Sequence, residues 1–522
     1  MKYRNIIFMG SVLLLVIGIA MLTAIPIGIY YADSPDVIKA MSLSAGVCLV
    51  VSIVGVLLSL FRIESASTHS ALREGFASVL FAWIAAVICG SLPFVLCCRF
   101  TIADAIFETA SGFSTTGASI VGPGMLLHNG EALANGIESL PMSILYWRSL
   151  LNWLGGIGFV MFALMLLPSL SGRKQLFHAE VPGLKSANDQ MTARVKNTAW
   201  LLMSFYAMLT TIMAVSYYFL GMHSWFEAVC HAFSTVATGG FSTHSASIGY
   251  YSQPLLQWAC TLFMFISAIN FALPIKLLTK GECGFHKDEE FGAFALTAIL
   301  VSVIFSCQMY RNGLNLTSTT GAAIATSDAT LNQVEAYLRT AAFQVASTMS
   351  TTGFATSDYL SWKLPGLPAI ILFLMLLGGC AGSTAGGLKF ARFLVLIKQT
   401  KGETRRKIFP HLMPDVHLSG ERLEMSVVHQ TMAFLVIYLC TVCISTLVLP
   451  FLCNMDLDTA LSATMSAISN VGPGLGKVSP ECNYNWMTPS AKYLLSFIMI
   501  AGRLELYTVF VVLMPRFWRT GR

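Results

Sequence analysis

Long runs without charge dominate the chain. They cover Ile6–Tyr31, Ala40–Phe61, Gly75–Cys98, Ser149–Gly172, Asn197–Met222, Gly249–Ile275, Phe291–Tyr310, Leu364–Leu388 and Met425–Met455. A tenth run, Tyr493–Met514, is interrupted by Arg503 and Glu505. Each has the roughly 20 apolar residues that a membrane-crossing helix needs. Shorter stretches of small and apolar residues, such as Ala105–Ser114 and Thr459–Ser469, lie between some of them. These are too short to cross and predict re-entrant half-helices. The pattern therefore predicts an all-α polytopic membrane protein with about ten spans. Lys2 and Arg4 before the first run give it the look of a signal peptide, but its apolar stretch is too long, and it reads as a span.

Composition agrees. Of the 522 residues, 55% are hydrophobic and 11% charged, against about 25% charged in soluble proteins. The mean hydropathy is +0.68. A soluble enzyme, a disordered tail and a nucleic-acid binder are excluded. Basic residues fall in alternate loops: Lys2 and Arg4, Arg62 and Arg73, Arg173–Lys196, Lys276–Lys287, Lys389–Arg422 and Arg516–Arg522. By the positive-inside rule these segments, and both termini, are expected in the cytoplasm. Most of the 13 cysteines sit inside apolar runs and read as small buried hydrophobes. Cys453 and Cys482 could meet on an outer loop.

A repeat emerges within this frame. Phe113–Ala118 (FSTTGA), Thr235–Phe241 (TVATGGF), Met349–Phe354 (MSTTGF) and Ile468–Pro473 (ISNVGP) resemble one another. Aligned on Gly117, Gly239, Gly353 and Gly472, they are separated by 122, 114 and 119 residues. Each follows a short stretch and is flanked by a span on either side. The chain thus divides into a two-span extension (1–70) and four span–pore-helix–span units (71–190, 191–285, 286–420, 421–522). Irregular backbone at membrane depth survives only where it is buried or lines water. Four Thr-Gly turns about a pseudo-fourfold axis would present a ring of carbonyl oxygens, able to replace the hydration shell of a monovalent cation. The C-terminal ends of the half-helices would point their negative dipole ends at it.

These segments carry a resemblance to the TrkH/TrkG/KtrB superfamily of bacterial potassium-uptake proteins. Two further stretches join them: Gly378–Lys389 (GGCAGSTAGGLK) and Gly502–Leu506 (GRLEL). The N-terminal pair of spans resembles the TrkH-like branch. Cys380 stands where the family usually has serine, a small-for-small change. The resemblance implies a K⁺ filter at Thr115, Thr116 and Gly117; Ala237, Thr238 and Gly239; Thr351, Thr352 and Gly353; and Asn470, Val471 and Gly472. It implies K⁺ as the transported ion, no organic cofactor in this chain, a homodimer in the bacterial inner membrane, and a cytosolic nucleotide-binding regulatory subunit of the TrkA type. No glycine-rich phosphate loop is present, so nucleotide sensing falls to a partner. A pore-facing role for Arg503, as an electrostatic barrier, is also implied.

Glycines at 378, 379, 382, 386 and 387 argue for a broken helix, since each costs about 1 kcal/mol relative to alanine in a helix. The segment is read as a gating loop, with Ser383 and Thr384 satisfying freed backbone groups and Lys389 holding the loop across the pore. The alternative is a close-packed small-residue interface. Arg503 could instead pair with Glu505, although residues two apart on a helix face different ways. Asp104, Glu108, Glu227, Asp456 and Asp458 near the half-helix starts serve either to attract cations or as N-terminal helix charge. His231 reads as packed and hydrogen-bonded rather than proton-linked. Cys283 and His286 have ligand spacing but lack a partner pair for zinc. The basic segment Lys398–Lys407 marks topology or docks a cytosolic partner. Two rival functions remain: a Na⁺-passing or Na⁺-coupled relative, and an intramembrane hydrolase built on His231 and Ser234. Plant relatives that pass Na⁺ carry serine at the first filter position, where this chain has Gly117. A hydrolase gains nothing from four repeats.

Overall fold

The structure, a computed structural model, describes residues 3–60, 68–128, 130–166, 191–314, 316, 330–411 and 415–518. Lys2, Arg62, Arg173, Lys174, Lys185, Arg519 and Arg522, used above for orientation, lie outside them. Most of what is described is helical; the strands among the described residues are β1 (His417–Leu418) and β2 (Glu421–Arg422), a small antiparallel hairpin.

The N-terminal extension is a helical pair: α1 (Tyr3–Leu22), continued by α2 (Ala24–Tyr30), packs along α3 (Pro35–Leu60) and against the first unit. Its contact is made by small residues. A side chain at Gly18 would strike Leu49, and Ser52 Oγ donates to the Ser11 carbonyl at 2.7 Å. Small residues let helix backbones approach closely in lipid, where hydrophobicity supplies no drive.

Four units follow. The first holds α4 (Thr68–Cys98), the short α5 (Ile102–Phe113) and α6 (Met142–Leu166). The second holds α7 (Met191–Tyr217), α8 (Trp225–Val236), α9 (Pro254–Ala268) and α10 (Ala272–Lys280). The third holds α11 (Glu289–Arg311), α12 (Thr330–Met349), α13 (Leu367–Leu377) and α14 (Phe390–Ile408). The fourth holds α15 (Met425–Leu452), α16 (Leu457–Ser469), α17 (Pro489–Arg503) and α18 (Leu506–Leu513). Units one and four share one hydrophobic core with the N-terminal pair. Units two and three are centred on cores of their own.

Three expected spans are broken. The run Gly249–Ile275 bends by 94° between α9 and α10, and Tyr493–Met514 bends by 114° between α17 and α18. The run Leu364–Leu388 ends as a helix at Leu377; residues 378–389 are non-helical. Among the described residues six stretches are long and apolar enough to cross a membrane unbroken, or up to eight if each bent pair is one span. Each break has a local cause. At Asn270 the side-chain oxygen accepts from the Ala272 amide at 2.9 Å, starting a new helix in a new direction. Near Arg503 the chain turns through Glu505 at φ +56°. After α13, Gly378, Gly382 and Gly387 take φ of +66°, +77° and +78°, conformations that other residues resist.

The third short helix departs from expectation in another way. α12 runs over 20 residues, not about 12. Its added N-terminal turns carry Glu335, which pairs with Arg339 one turn on at 3.1 Å; the two are tied to α9 through Trp258 Nε1 donating to Glu335 and Arg339 donating to Gln257.

Candidate functional site

Each of α5, α8, α12 and α16 ends in the same way. The amide of Thr115 donates to the Gly112 carbonyl, and that of Thr116 to Ser111. The matching pairs are Thr238 to Thr235 and Gly239 to Ser234; Thr351 to Thr348 and Thr352 to Ser347; and Asn470 to Ala467 and Val471 to Ser466. This is a Schellman ending, which satisfies the last helical carbonyls and needs a left-handed residue. Glycine normally supplies it. Here Thr115 (φ +54°), Thr238 (+54°), Thr351 (+56°) and Asn470 (+57°) do. Asparagine tolerates that conformation; β-branched threonine does so only at a cost of order 1–3 kcal/mol. Three repeated outliers in one ring point to function.

The hydrogen bonds also set the register. Gly117 (φ +80°), Gly353 (+80°) and Gly472 (+101°) each lie two residues past the left-handed residue, and in the second unit that position is Gly240 (+75°). Gly239, aligned with them on sequence, matches Thr116 instead. A serine marks the frame: Ser111, Ser234, Ser347 and Ser466 each lie six residues before the positive-φ glycine. Alignment on that serine, or on Gly240-Phe241 with Gly353-Phe354, finds Gly240. The Thr-Gly pair used above drew the second unit one residue out.

The four turns close on one another. A methyl group on Gly117 would run into the Gly239 carbonyl oxygen, one on Gly240 into that of Thr352, one on Gly353 into that of Val471, and one on Gly472 into that of Thr116. Each unit's glycine thus faces the equivalent carbonyl of the next, and the fourth returns to the first. One cavity is lined by Gly117, Gly240, Gly353 and Gly472 together. All of the sequence-predicted filter residues lie on these turns, Ala237 being the residue that ends α8.

Different side chains brace the turns from behind. Glu108 is fully buried; it receives Arg148 Nε at 2.9 Å, the Ser119 hydroxyl at 2.9 Å and the Ile120 amide at 3.0 Å. Arg148 also donates to the Ser242 carbonyl at 3.1 Å, tying the first turn to the second. A buried charge needs such a partner. His231 occupies the equivalent position in the second unit. Its Nδ1 bonds the Glu227 carbonyl at 2.8 Å and its Nε2 the Ser242 hydroxyl at 3.0 Å. The carbonyl can only accept, so Nδ1 carries the proton and Nε2 receives the hydroxyl. Asn470 ties the ring shut, its amide donating to Thr116 Oγ1 at 3.0 Å and to the Met499 carbonyl at 2.9 Å. Arg148 and its role in joining two turns were missed from sequence. A lone arginine in an apolar run was the available signal.

Several acidic residues are engaged rather than open to a mouth. Asp104 is buried against Lys492 at 2.6 Å. Glu227 accepts from the Tyr251 hydroxyl at 2.6 Å and bonds His244 at 3.2 Å. Asp456 and Asp458 are exposed. Cys283 and His286 lie 3.9 Å apart, and no metal-holding cluster occurs among the described residues. Cys453 and Cys482 are both free thiols.

Residues 378–389 lie against the ring and are not among those that line the cavity. The Gly386 amide donates to Thr351 Oγ1 at 2.7 Å; Thr384 Oγ1 donates to the Val236 carbonyl at 2.9 Å. The loop also uses the break in the second unit: the Cys380 amide donates to the Ala268 carbonyl, and the Phe271 amide to that of Gly382. The Gly378–Gly387 contact is close, since a methyl on Gly387 would meet the Gly378 backbone. Gly379 packs on Ala385, and the Ser383 hydroxyl donates to Cys380 within the loop. Lys389 folds back to the Ala385 carbonyl at 2.5 Å. Arg503 is buried and donates to the Thr384 carbonyl at 2.6 Å. Glu505, the other candidate partner, pairs with Arg392 at 2.5 Å.

A family model described as TrkH, cation transport protein, matches residues 49–519. The chain belongs to the TrkH family. The Trk system potassium uptake protein TrkH of Salmonella typhimurium is 35% identical over 451 residues, 86% of each chain. That of Vibrio parahaemolyticus is 32% identical over the full length of both. The crystal structure of the potassium transporter TrkH from Vibrio parahaemolyticus superposes with a TM-score of 0.82 at 30% identity, covering 99% of this chain and 100% of that one. TrkH-family membership makes this a multi-pass membrane transport protein and not an enzyme. The hydrolase reading fails on geometry as well: His231 bonds Ser242, while Ser234 accepts from Asn152.

Proposed function

We propose that the chain takes up K⁺ across the bacterial inner membrane through the ring of Thr116, Gly239, Thr352 and Val471 carbonyls. The left-handed residues Thr115, Thr238, Thr351 and Asn470 turn those carbonyls inward, and Gly117, Gly240, Gly353 and Gly472 leave room for them. The closed succession of glycine against carbonyl through four units carries this reading. Oxygens held at fixed spacing replace a cation's water, and the names of the relatives point to potassium. The loop 378–389 acts as the gate, with Arg503 beside it as the electrostatic barrier. Both termini face the cytoplasm, the protein works as a homodimer, and a TrkA-type nucleotide-binding subunit acts on the basic inner segments. The test is ⁸⁶Rb⁺ uptake by purified protein in proteoliposomes, competed with K⁺ or Na⁺. Competition by K⁺ alone is expected. Equal competition by Na⁺ would assign the chain to a Na⁺-passing function. Deleting Ala381–Ala385 is expected to give high flux with selectivity retained; flux that remained low and partner-dependent would remove the loop as gate.

A further inference from the structure

The N-cap and first turn of α11 hold three acidic residues with three separate tasks. Asp288 caps its own helix, accepting from the Phe291 amide at 2.9 Å. Glu289 pairs with Lys398 of α14, and its amide donates to Ser419 of the β-hairpin. Glu290 turns inward and is 6% exposed. Its Oε1 accepts from the Ala381 amide of the loop at 2.7 Å and from the Ala391 amide of α14 at 2.8 Å.

The chemistry of Glu290 differs from most of the loop's other attachments, although Arg503 at the Thr384 carbonyl also brings a charge. Those at Thr351, Ala268 and Val236 pair an amide or a hydroxyl with a neutral oxygen. Hydrogen bonds to a carboxylate are roughly twice as strong. A buried carboxylate is also costly unless its oxygens are satisfied, so the two amides are held as firmly as they hold it. One oxygen shared between Ala381 and Ala391 fixes the loop relative to the start of α14. The same turn grips α14 again at Lys398, whose ammonium also donates to the His417 carbonyl of the hairpin at 2.7 Å.

We infer that Glu290 is the latch that holds the loop closed, positioning it beneath the ring until α14 moves. The inference rests on the proposed function and deepens it. Displacement of α14 takes the Ala391 amide away from the shared oxygen. The carboxylate then either follows α14 and leaves Ala381, or stays on Ala381 and loses Ala391; in both cases the loop loses its tie to α14.

Two conservative variants separate reach from charge. Glu290→Asp keeps the charge but is one methylene too short to serve both amides. Glu290→Gln keeps the reach and loses the charge. The readout independent of transport is Cys380, a buried thiol within the loop. Its modification by a membrane-impermeant thiol reagent is followed by peptide mass in full-length protein in proteoliposomes, beside ⁸⁶Rb⁺ flux. Glu290→Asp is expected to speed Cys380 modification and to raise partner-independent flux about tenfold each, equivalent to ~1.4 kcal/mol. Glu290→Gln should fall between it and wild type, and the preference for K⁺ over Na⁺ should not change. If Cys380 stays protected and flux stays low in Glu290→Asp while the Ala381–Ala385 deletion opens the pathway, the latch is wrong and the gate stands. If the deletion also leaves flux low, the gate reading falls and the latch falls with it.

Discussion

The two sides of the ring follow different rules. On the pore-helix side the four units repeat one plan: a short helix, a Schellman ending, a left-handed residue, and a glycine facing its neighbour's carbonyl. On the other side the second spans diverge. α6 is continuous, α9–α10 bends by 94°, α13 and α14 are separated by a loop, and α17–α18 bends by 114°. A ring that coordinates one ion needs near-equivalent ligands. A device that must move under control from one direction needs a single mobile element and three that hold still. On the proposed function, symmetry serves recognition, and its loss serves regulation.

Four tests probe this contrast. The largest effect is expected behind the first turn. Arg148→Ala strands a fully buried carboxylate at Glu108 and should cost about 3–5 kcal/mol of stability, measured by thermal unfolding in detergent. The equivalent position in unit two is neutral, so His231→Gln should cost under about 1.5 kcal/mol, the worth of an ordinary hydrogen bond. Equal losses would mean the two units are braced alike after all. Next, Gly240→Ala places a methyl against the Thr352 carbonyl at φ +75°. Uptake of ⁸⁶Rb⁺ should drop about 100-fold, or ~2.8 kcal/mol. Gly239→Ala meets the Asn152 side chain from its amide down to Cβ, but no ring carbonyl among its nearest neighbours; it should lose less than about tenfold and recover in part in combination with Asn152→Ala, which keeps the Cβ. The reverse ranking would restore the sequence register. Third, Gly117→Ser should lower K⁺/Na⁺ preference by roughly tenfold, ~1.4 kcal/mol, in a bi-ionic assay. The smallest effect belongs to the unsymmetrical side. Arg503→Ala removes a charge and the bond to Thr384, and should raise flux less than about tenfold with preference unchanged. Altered preference there would show that the two sides are not separable.

The same contrast explains what the sequence disclosed. Hydrophobic runs and the fourfold repeat were legible because each depends on local composition repeated in order. The broken helix at Gly378–Gly387 was legible because five glycines oppose a helix on their own account. The bend at Asn270 was not, because one asparagine capping two residues ahead leaves hydrophobicity unchanged. The register of unit two was hidden by a second glycine: Gly239 satisfies a Thr-Gly pattern that the hydrogen bonds to Ser234 and Thr235 overrule, in agreement with the serine six residues before Gly240. Glu108–Arg148 and Glu290 were hidden for a different reason. Their partners lie far off in the chain, at separations that no pattern along one segment encodes.

The ring is made by one polypeptide rather than by four identical copies. In a four-copy assembly, any change to a turn is made four times at once, and a mildly harmful residue is harmful in quadruplicate. Here each quarter is written separately. Asn470 and Val471 can replace the Thr-Thr of units one and three, and Asn470 spends its freed amide on Thr116 and Met499. The single chain can therefore try a new residue in one quarter while the other three quarters stay intact. Inheritance explores such a ring one ligand at a time, a path that a ring of identical copies does not have.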